Sequence, residues 1–135
     1  MNIQHNIGVA AQIGTYSDAV EVPPGARWLI TAGTPGLAAD GTLPDGIAAQ
    51  AELAWRHIVA LLDRAGMSIA DVVKVTQYLL HESDIAEYAR IRSCYLKDAR
   101  PASMLSIVPA LVRPGILVEI EVIAAAGAGP LSSDR

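Results

Sequence analysis

The period of the apolar positions changes several times along the chain, and each change marks an element. Ile7, Val9, Ala11 and Ile13 alternate with other residues, a period of two that predicts a short strand ending at Gly14. Ala19 to Val22 predicts a second strand, stopped by Pro23, Pro24 and Gly25, which remove amide donors and permit a tight turn. Trp28 to Ala32 predicts a third, closed by Gly33, so the chain opens as a meander of short strands. The stretch TPGLAADGTLPDG at 34–46 reads as a loop.

At Ile47 the period becomes helical. Ile47, Ala51, Ala54, Ile58, Leu61, Leu62 and Ala65 return at steps of three and four, one stripe on a helix that Asp45 caps and Gly66 ends. Gln50, Glu52, Arg56, His57 and Asp63 fall on its polar face. Ser68 and Asp71 have capping-box spacing, Val73 to Leu80 follows as a strand, and Ser83 or Asp84 opens a second helix over about 84–97. Ile85, Ala89, Arg92 and Tyr95 share a face of that helix. The closing stretch reads as a hairpin: Ser103 to Leu111, a break at Val112, Arg113, Pro114 and Gly115, then Ile116 to Ala125. In the second arm Val118, Ile120 and Val122 point one way, and Leu117, Glu119, Glu121 and Ile123 the other. Two carboxylates then share a face roughly 7 Å apart, either on a solvated surface or at the polar centre of a pocket.

The expected fold is α+β, a mixed six-stranded sheet with two helices on one face, in a single domain over 1–135 whose tail from Gly127 is frayed. The strand at 73–80 is apolar on both faces, with Val73, Val75 and Leu79 on one and Tyr78 and Leu80 on the other. The sheet face away from the helices is therefore unfinished in a monomer, and a cyclic oligomer packing sheet against sheet would cover it.

Composition adjusts this picture at a few points. Aromatics make up only 4% with no Phe, which predicts a core of Ala, Val, Ile and Leu. A net charge of -4 and the absence of a basic run disfavour nucleic acid as a partner. The single cysteine excludes an intramolecular disulfide and a cysteine-pair zinc site. No long apolar run or charged leader is present, so no membrane association and a cytoplasmic setting are expected. His57 reads as a surface residue, His81 as a loop residue without a partner, and Cys94 as a small core residue.

Several stretches together resemble the YjgF family, the reactive intermediate deaminases or Rid proteins. They are IGTYSDAV at 13–20, LITAG at 29–33, AAQAELAWRHIVALLDRAGMSIADVVKVTQYL at 48–79, RPAS at 100–103 and LVEIEVIAA at 117–125. The resemblance implies a ferredoxin-like or chorismate-mutase-like subunit in a homotrimer with clefts between subunits. It also implies hydrolysis of reactive enamines and imines, such as 2-aminoacrylate, to 2-keto acids and ammonia, without cofactor or metal. Carried over by position, Glu119 would orient the attacking water, Tyr16 would line the cleft, and Ala32 and Gly33 would offer backbone groups to the ligand.

At one position the chain departs from that pattern. Ser103 stands directly after Pro101-Ala102, where deaminase members carry an arginine for the substrate carboxylate, and Met104 follows it. A serine hydroxyl supplies neither the charge nor the fork of a guanidinium, a loss of about 2 to 4 kcal/mol of binding to a carboxylate. Arg113, in the turn between the last two strands, is one replacement cation; a solvated turn residue is the alternative. Two functions remain open. One is a Rid-like hydrolase or deaminase with altered substrate preference, using Glu119, Tyr16 and Gly33 in a cleft lined by Met104 and Leu105. The other is a non-catalytic metabolite-binding or regulatory trimer. A nucleic-acid role, as proposed for some family members, conflicts with the charge balance.

Overall fold

A computed structural model describes residues 1–127; the expected frayed tail lies, except for Gly127, outside the described residues. The elements in chain order are β1 (Ile3–His5), β2 (Ala19–Glu21), β3 (Arg27–Ile30), β4 (Thr34–Pro35), α1 (Gly46–Arg64), β5 (Val72–Leu79), α2 (Ile85–Leu96), β6 (Ala102–Ile107) and β7 (Val118–Ala126). The main sheet has five strands in the order β3-β7-β5-β6, with β4 continuing the pairing along β7. All its pairings are antiparallel except β5 with β6. β1 and β2 form a separate two-stranded sheet. The α+β class and the mixed sheet with its two helices are as expected, but six strands in one sheet are not.

The chain opening also differs from the meander. The alternating stretch from Ile7 to Ile13 holds a 3-10 turn at Ala10–Gln12 instead of a strand, and Ile7, Val9 and Ile13 are exposed. The carboxylate of Asp18 accepts hydrogen bonds from the amides of Ile7 and Ala10, each at 2.8 Å, which folds this segment back on itself. Local side-chain to backbone bonding of this kind competes with extended structure.

The closing hairpin is replaced by a crossover. β7 pairs with β5 and not with β6, so the central strand β5 lies between the two arms. The ten residues from 108 to 117 pass over the end of β5, tied there by Val108 N–H to Leu79 O at 2.9 Å and Leu80 N–H to Leu117 O at 3.1 Å. Ten residues are more than a tight hairpin needs, and pairing on both edges gives the apolar strand β5 ladder partners on either side from Lys74 to Leu79.

α1 ends as expected. Gly66 has a positive φ of 70°, and the amides of Gly66 and Met67 return to Asp63 O and Leu62 O. Asp45 occupies the N-cap position without a side-chain cap bond. The capping box of Ser68 and Asp71 is formed. The buried stripe of α1 includes Gln50 and Trp55, while Leu61 is exposed. Gln50 tolerates burial because its amide donates to Pro44 O and Gly115 O and accepts from Leu117 N–H. In α2 the buried positions are Tyr88 and Ile91, not the Ile85 and Ala89 face, and Cys94 is exposed. The core is thus not wholly aliphatic: Trp55 and Tyr88 are its largest fully buried side chains.

Both helices cover one face of the sheet. Val118, Ile120, Val122 and Ala124 of β7 join Val75 and Leu79 of β5 in the core. The opposite face carries Glu119, Glu121 and Ile123 beside exposed Trp28, Ile30 and Met104. No helix among the described residues is long and apolar enough to cross a membrane.

Candidate functional site

The residues singled out from the sequence fall into two groups on opposite faces of the sheet. The first is built around Glu119. In the antiparallel register Glu119 stands opposite Tyr78 of β5 on one side and Pro35 of β4 on the other. Its side chain therefore projects from the face away from the helices, as the alternation of β7 predicts. Thr31 positions the end of β3 against β7: its amide donates to Val122 O, and its hydroxyl accepts from Val122 N–H. Ala32 and Gly33 follow as exposed residues. A Cβ added at Gly33 would lie 3.0 Å from Glu119 Oε1, so the missing side chain leaves the space the carboxylate uses.

The second group surrounds the start of β6. Ser17 bridges to Ala102 along the outer edge of this strand, its amide bonded to Pro101 O and its hydroxyl donating to Arg100 O. This fastens the opening motif to RPAS and sets Tyr16 beside Ser103. Both line one pocket of about 20 Å³ with Thr15, Arg92, Lys97 and Arg100. Ser103 pairs with Val75 in the parallel register, which directs its side chain to the helix-covered face. There its hydroxyl accepts a 3.0 Å hydrogen bond from Gln77 Nε2.

Met104 and Leu105 do not line one cleft. Alternation sends Met104, 54% exposed, to the face shared with Glu119, and packs Leu105 against the core. Arg113 is exposed in the connection from β6 to β7, in a depression formed with Leu80, Leu111 and Ile116, which it shares with neither group. A concavity of about 430 Å³ lies between the C-terminal ends of α1 and α2 and contains none of the expected site residues. Among the described residues no group of three His, Cys, Asp or Glu side chains is gathered for a metal ion.

The family model for Endoribonuclease L-PSP matches residues 8–126. The chain belongs to the YjgF/RutC/Rid family. It is 34% identical to a protein of Mus musculus named 2-iminobutanoate/2-iminopropanoate deaminase, over 87% of this chain and 85% of that one. Among solved structures, RidA of a Psychrobacter species is 35% identical, with a TM-score of 0.70 over 84% of this chain and 90% of that one. A Rid family protein of Yersinia pestis gives a TM-score of 0.77 at 29% identity, covering 93% of this chain and 98% of that one.

Two residues of the second group escaped the sequence reading. Gln77 is fully buried in the central strand, where its Nε2 donates to Ser103 Oγ and Met104 O and its Oε1 accepts from Tyr88 and Arg92. Burial pushes the Tyr88 hydroxyl well above the usual phenol range, which keeps it a donor. Arg92 is half-buried, its Nη1 2.9 Å from Gln77 Oε1 and its Cζ 5.5 Å from the centre of the Tyr88 ring. The signal for Gln77 was present: a polar residue in phase with Val75 and Leu79 needs partners, and those partners mark a network.

Proposed function

We propose that the protein is a Rid-type hydrolase that converts a small reactive imine or enamine to its carbonyl compound and ammonia, in clefts between the subunits of a homotrimer. The observation that carries this reading is the juxtaposition of Gly33 and Glu119, a carboxylate set beside exposed backbone at the end of β3. Glu119 would accept a hydrogen bond from a water and aim its lone pair at the imine carbon. Attack forms a C–O bond while the imine nitrogen takes up a proton. The resulting carbinolamine then loses ammonia as its hydroxyl proton leaves and the C=O bond forms. One water is consumed for each ammonia released.

Glu119 and Ser103 leave opposite faces of one sheet, so a single protomer does not offer both to one small molecule. A trimer in which Glu119 of one subunit meets Tyr16 and Ser103 of the next resolves this, and it covers the exposed Trp28, Ile30 and Met104. Relatives named for 2-iminobutanoate and 2-iminopropanoate support the reaction class. Ser103 sets this chain apart from the arginine pattern, which favours an altered substrate preference. The net charge of -4 weighs against the nuclease chemistry that the family model's description names.

The test is imine loss, with amino-acid imines and neutral imines generated in place and trapped by semicarbazide. The protein is expected to accelerate the loss, and Glu119→Gln to reduce that acceleration about a hundredfold. No acceleration over the whole panel would sink the hydrolase reading. The second reading, a metabolite-binding or regulatory trimer, is favoured by the engagement of Ser103 with Gln77. It predicts ligand binding without turnover and unchanged binding in Glu119→Gln.

A further inference from the structure

The pocket at the start of β6 has an unusual charge balance. Its lining includes Arg92, Lys97 and Arg100 together with the hydroxyl-bearing Thr15, Tyr16, Ser93 and Ser103, and no acidic residue. Arg100 is already engaged, its Nη1 donating to Lys97 O and Ala99 O at the C-terminal end of α2. Arg92 is not neutralised. Among the described residues no carboxylate lies within 4.0 Å of it, the ion pairs there being His5 with Glu21 and Glu87 with Arg90. Its Nη1 donates to the neutral Gln77 and its guanidinium lies over the ring of Tyr88, contacts that fix its position without supplying a negative charge. A half-buried guanidinium without a counter-charge, held in place by a fully buried and fully bonded amide, is preorganised for an anion.

Ser103 explains why the guanidinium sits there. Its side chain enters the same space from β6, and its small size leaves room for a cation arriving from α2. We propose that Arg92 is the anion-binding residue of this site, and that the pocket of Tyr16, Arg92 and Ser103 takes the carboxylate of a short 2-imino or 2-keto acid. As a statement about substrate class this rests on the hydrolase reading above; as a statement about an anion pocket it stands on the charge balance alone. A volume of about 20 Å³ admits a carboxylate oxygen and not a whole substrate, which places the reacting carbon at the mouth. The cation then comes from the helix and not from the strand, so a carboxylate site is kept while the cleft around it, and with it the substrate preference, differs.

The test titrates pyruvate and its neutral analogue pyruvamide into the full-length protein, followed by NMR shifts. The wild type is expected to bind pyruvate at least about tenfold more tightly than pyruvamide. Arg92→Gln should weaken pyruvate about thirtyfold and leave pyruvamide unchanged, while Arg92→Lys retains part of the preference. Ser103→Asp is the second variant: it keeps an acceptor for Gln77, places an internal carboxylate beside Arg92, and should abolish pyruvate binding in a protein that still folds. Equal binding of pyruvate and pyruvamide by the wild type overturns the proposal. So does a folded Arg92→Gln or Ser103→Asp protein that keeps the preference. Imine hydrolysis measured on the same samples separates the two readings. Loss of pyruvate binding in both variants beside a wild type silent on all imines supports the anion pocket and overturns the hydrolase. Hydrolysis of 2-iminopropanoate whose KM is unchanged in Arg92→Gln does the reverse.

Discussion

The two groups of site residues are shaped by different means. Around Glu119 the form is set by the backbone: β4 pairs with β7, Thr31 is locked to Val122, and Gly33 makes room by having no side chain. Around Ser103 the form is set by side chains, since Tyr88 and Arg92 of α2 and Ser103 of β6 all bond to Gln77 of β5. A backbone-shaped site changes little with most substitutions and fails at glycines. A side-chain-shaped site can trade one cation for another without moving a strand, which is the exchange proposed for Ser103 and Arg92.

The sharpest way to break the first region is at Gly36, just after β4. A Cβ there would lie 2.1 Å from the carbonyl oxygen of Gln50, a backbone atom that cannot turn aside. Gly36→Ala is expected to destabilise the fold by more than about 3 kcal/mol, read as a fall in urea midpoint at unchanged slope. For the second region the counterpart is Gln77→Leu, which leaves the Tyr88 hydroxyl, one Arg92 donor and Ser103 without their shared partner. Its expected cost is about 2 to 3 kcal/mol. A Gln77→Leu protein as stable as the wild type would mean the network is decoration on a core that stands without it.

The sequence made the first region more legible than the second, for a physical reason. Glu119 lies in a strand of period two, so its face follows from Val118, Ile120 and Val122 alone, and glycines after an apolar run announce exposed backbone. The helices were legible from period and caps for the same reason, since both signals are local. Strand partners are not local. Nothing in the residues from 103 to 125 says that β5 lies between the two arms, and the proline-marked break looks the same in a hairpin and in a crossover. The opening strand failed because Asp18 offers the amides of Ile7 and Ala10 a partner eight to eleven residues away. Arg92 was hidden because its position is fixed by Gln77 of β5, fifteen residues away in the chain, and a helix-face reading placed it with Ile85 and Ala89.

Smaller effects sharpen the contrast. Gly33→Ala brings a Cβ against the far end of a flexible side chain, so the cost to stability is under about 1 kcal/mol. The carboxylate must still shift, and a displaced water position is expected to lower kcat about tenfold with KM nearly unchanged. A variant with full kcat would remove Gly33 from the site and leave Glu119 as an ordinary surface acid.

The smallest effect is a pH dependence at Asp18, which anchors the segment leading to Tyr16. Hydrogen bonds from the Ile7 and Ala10 amides favour the ionised carboxylate and hold its pKa below the ordinary aspartate value. A depressed folded pKa means that the contribution is complete above the unfolded value of about 3.9 and is lost as pH falls through the lower folded value. Amide exchange at Ile7 and Ala10 should therefore stay protected at pH 5, begin to lose protection below about pH 3.9 and open as pH falls through the lower folded value, while amides of β5 remain protected. Asp18→Asn should expose the same two amides even at pH 5. If Tyr16 is held by this fold-back, pyruvate binding weakens over the same pH interval and in Asp18→Asn. An unchanged affinity would assign the positioning of Tyr16 to Ser17 and its bonds to Arg100 and Pro101.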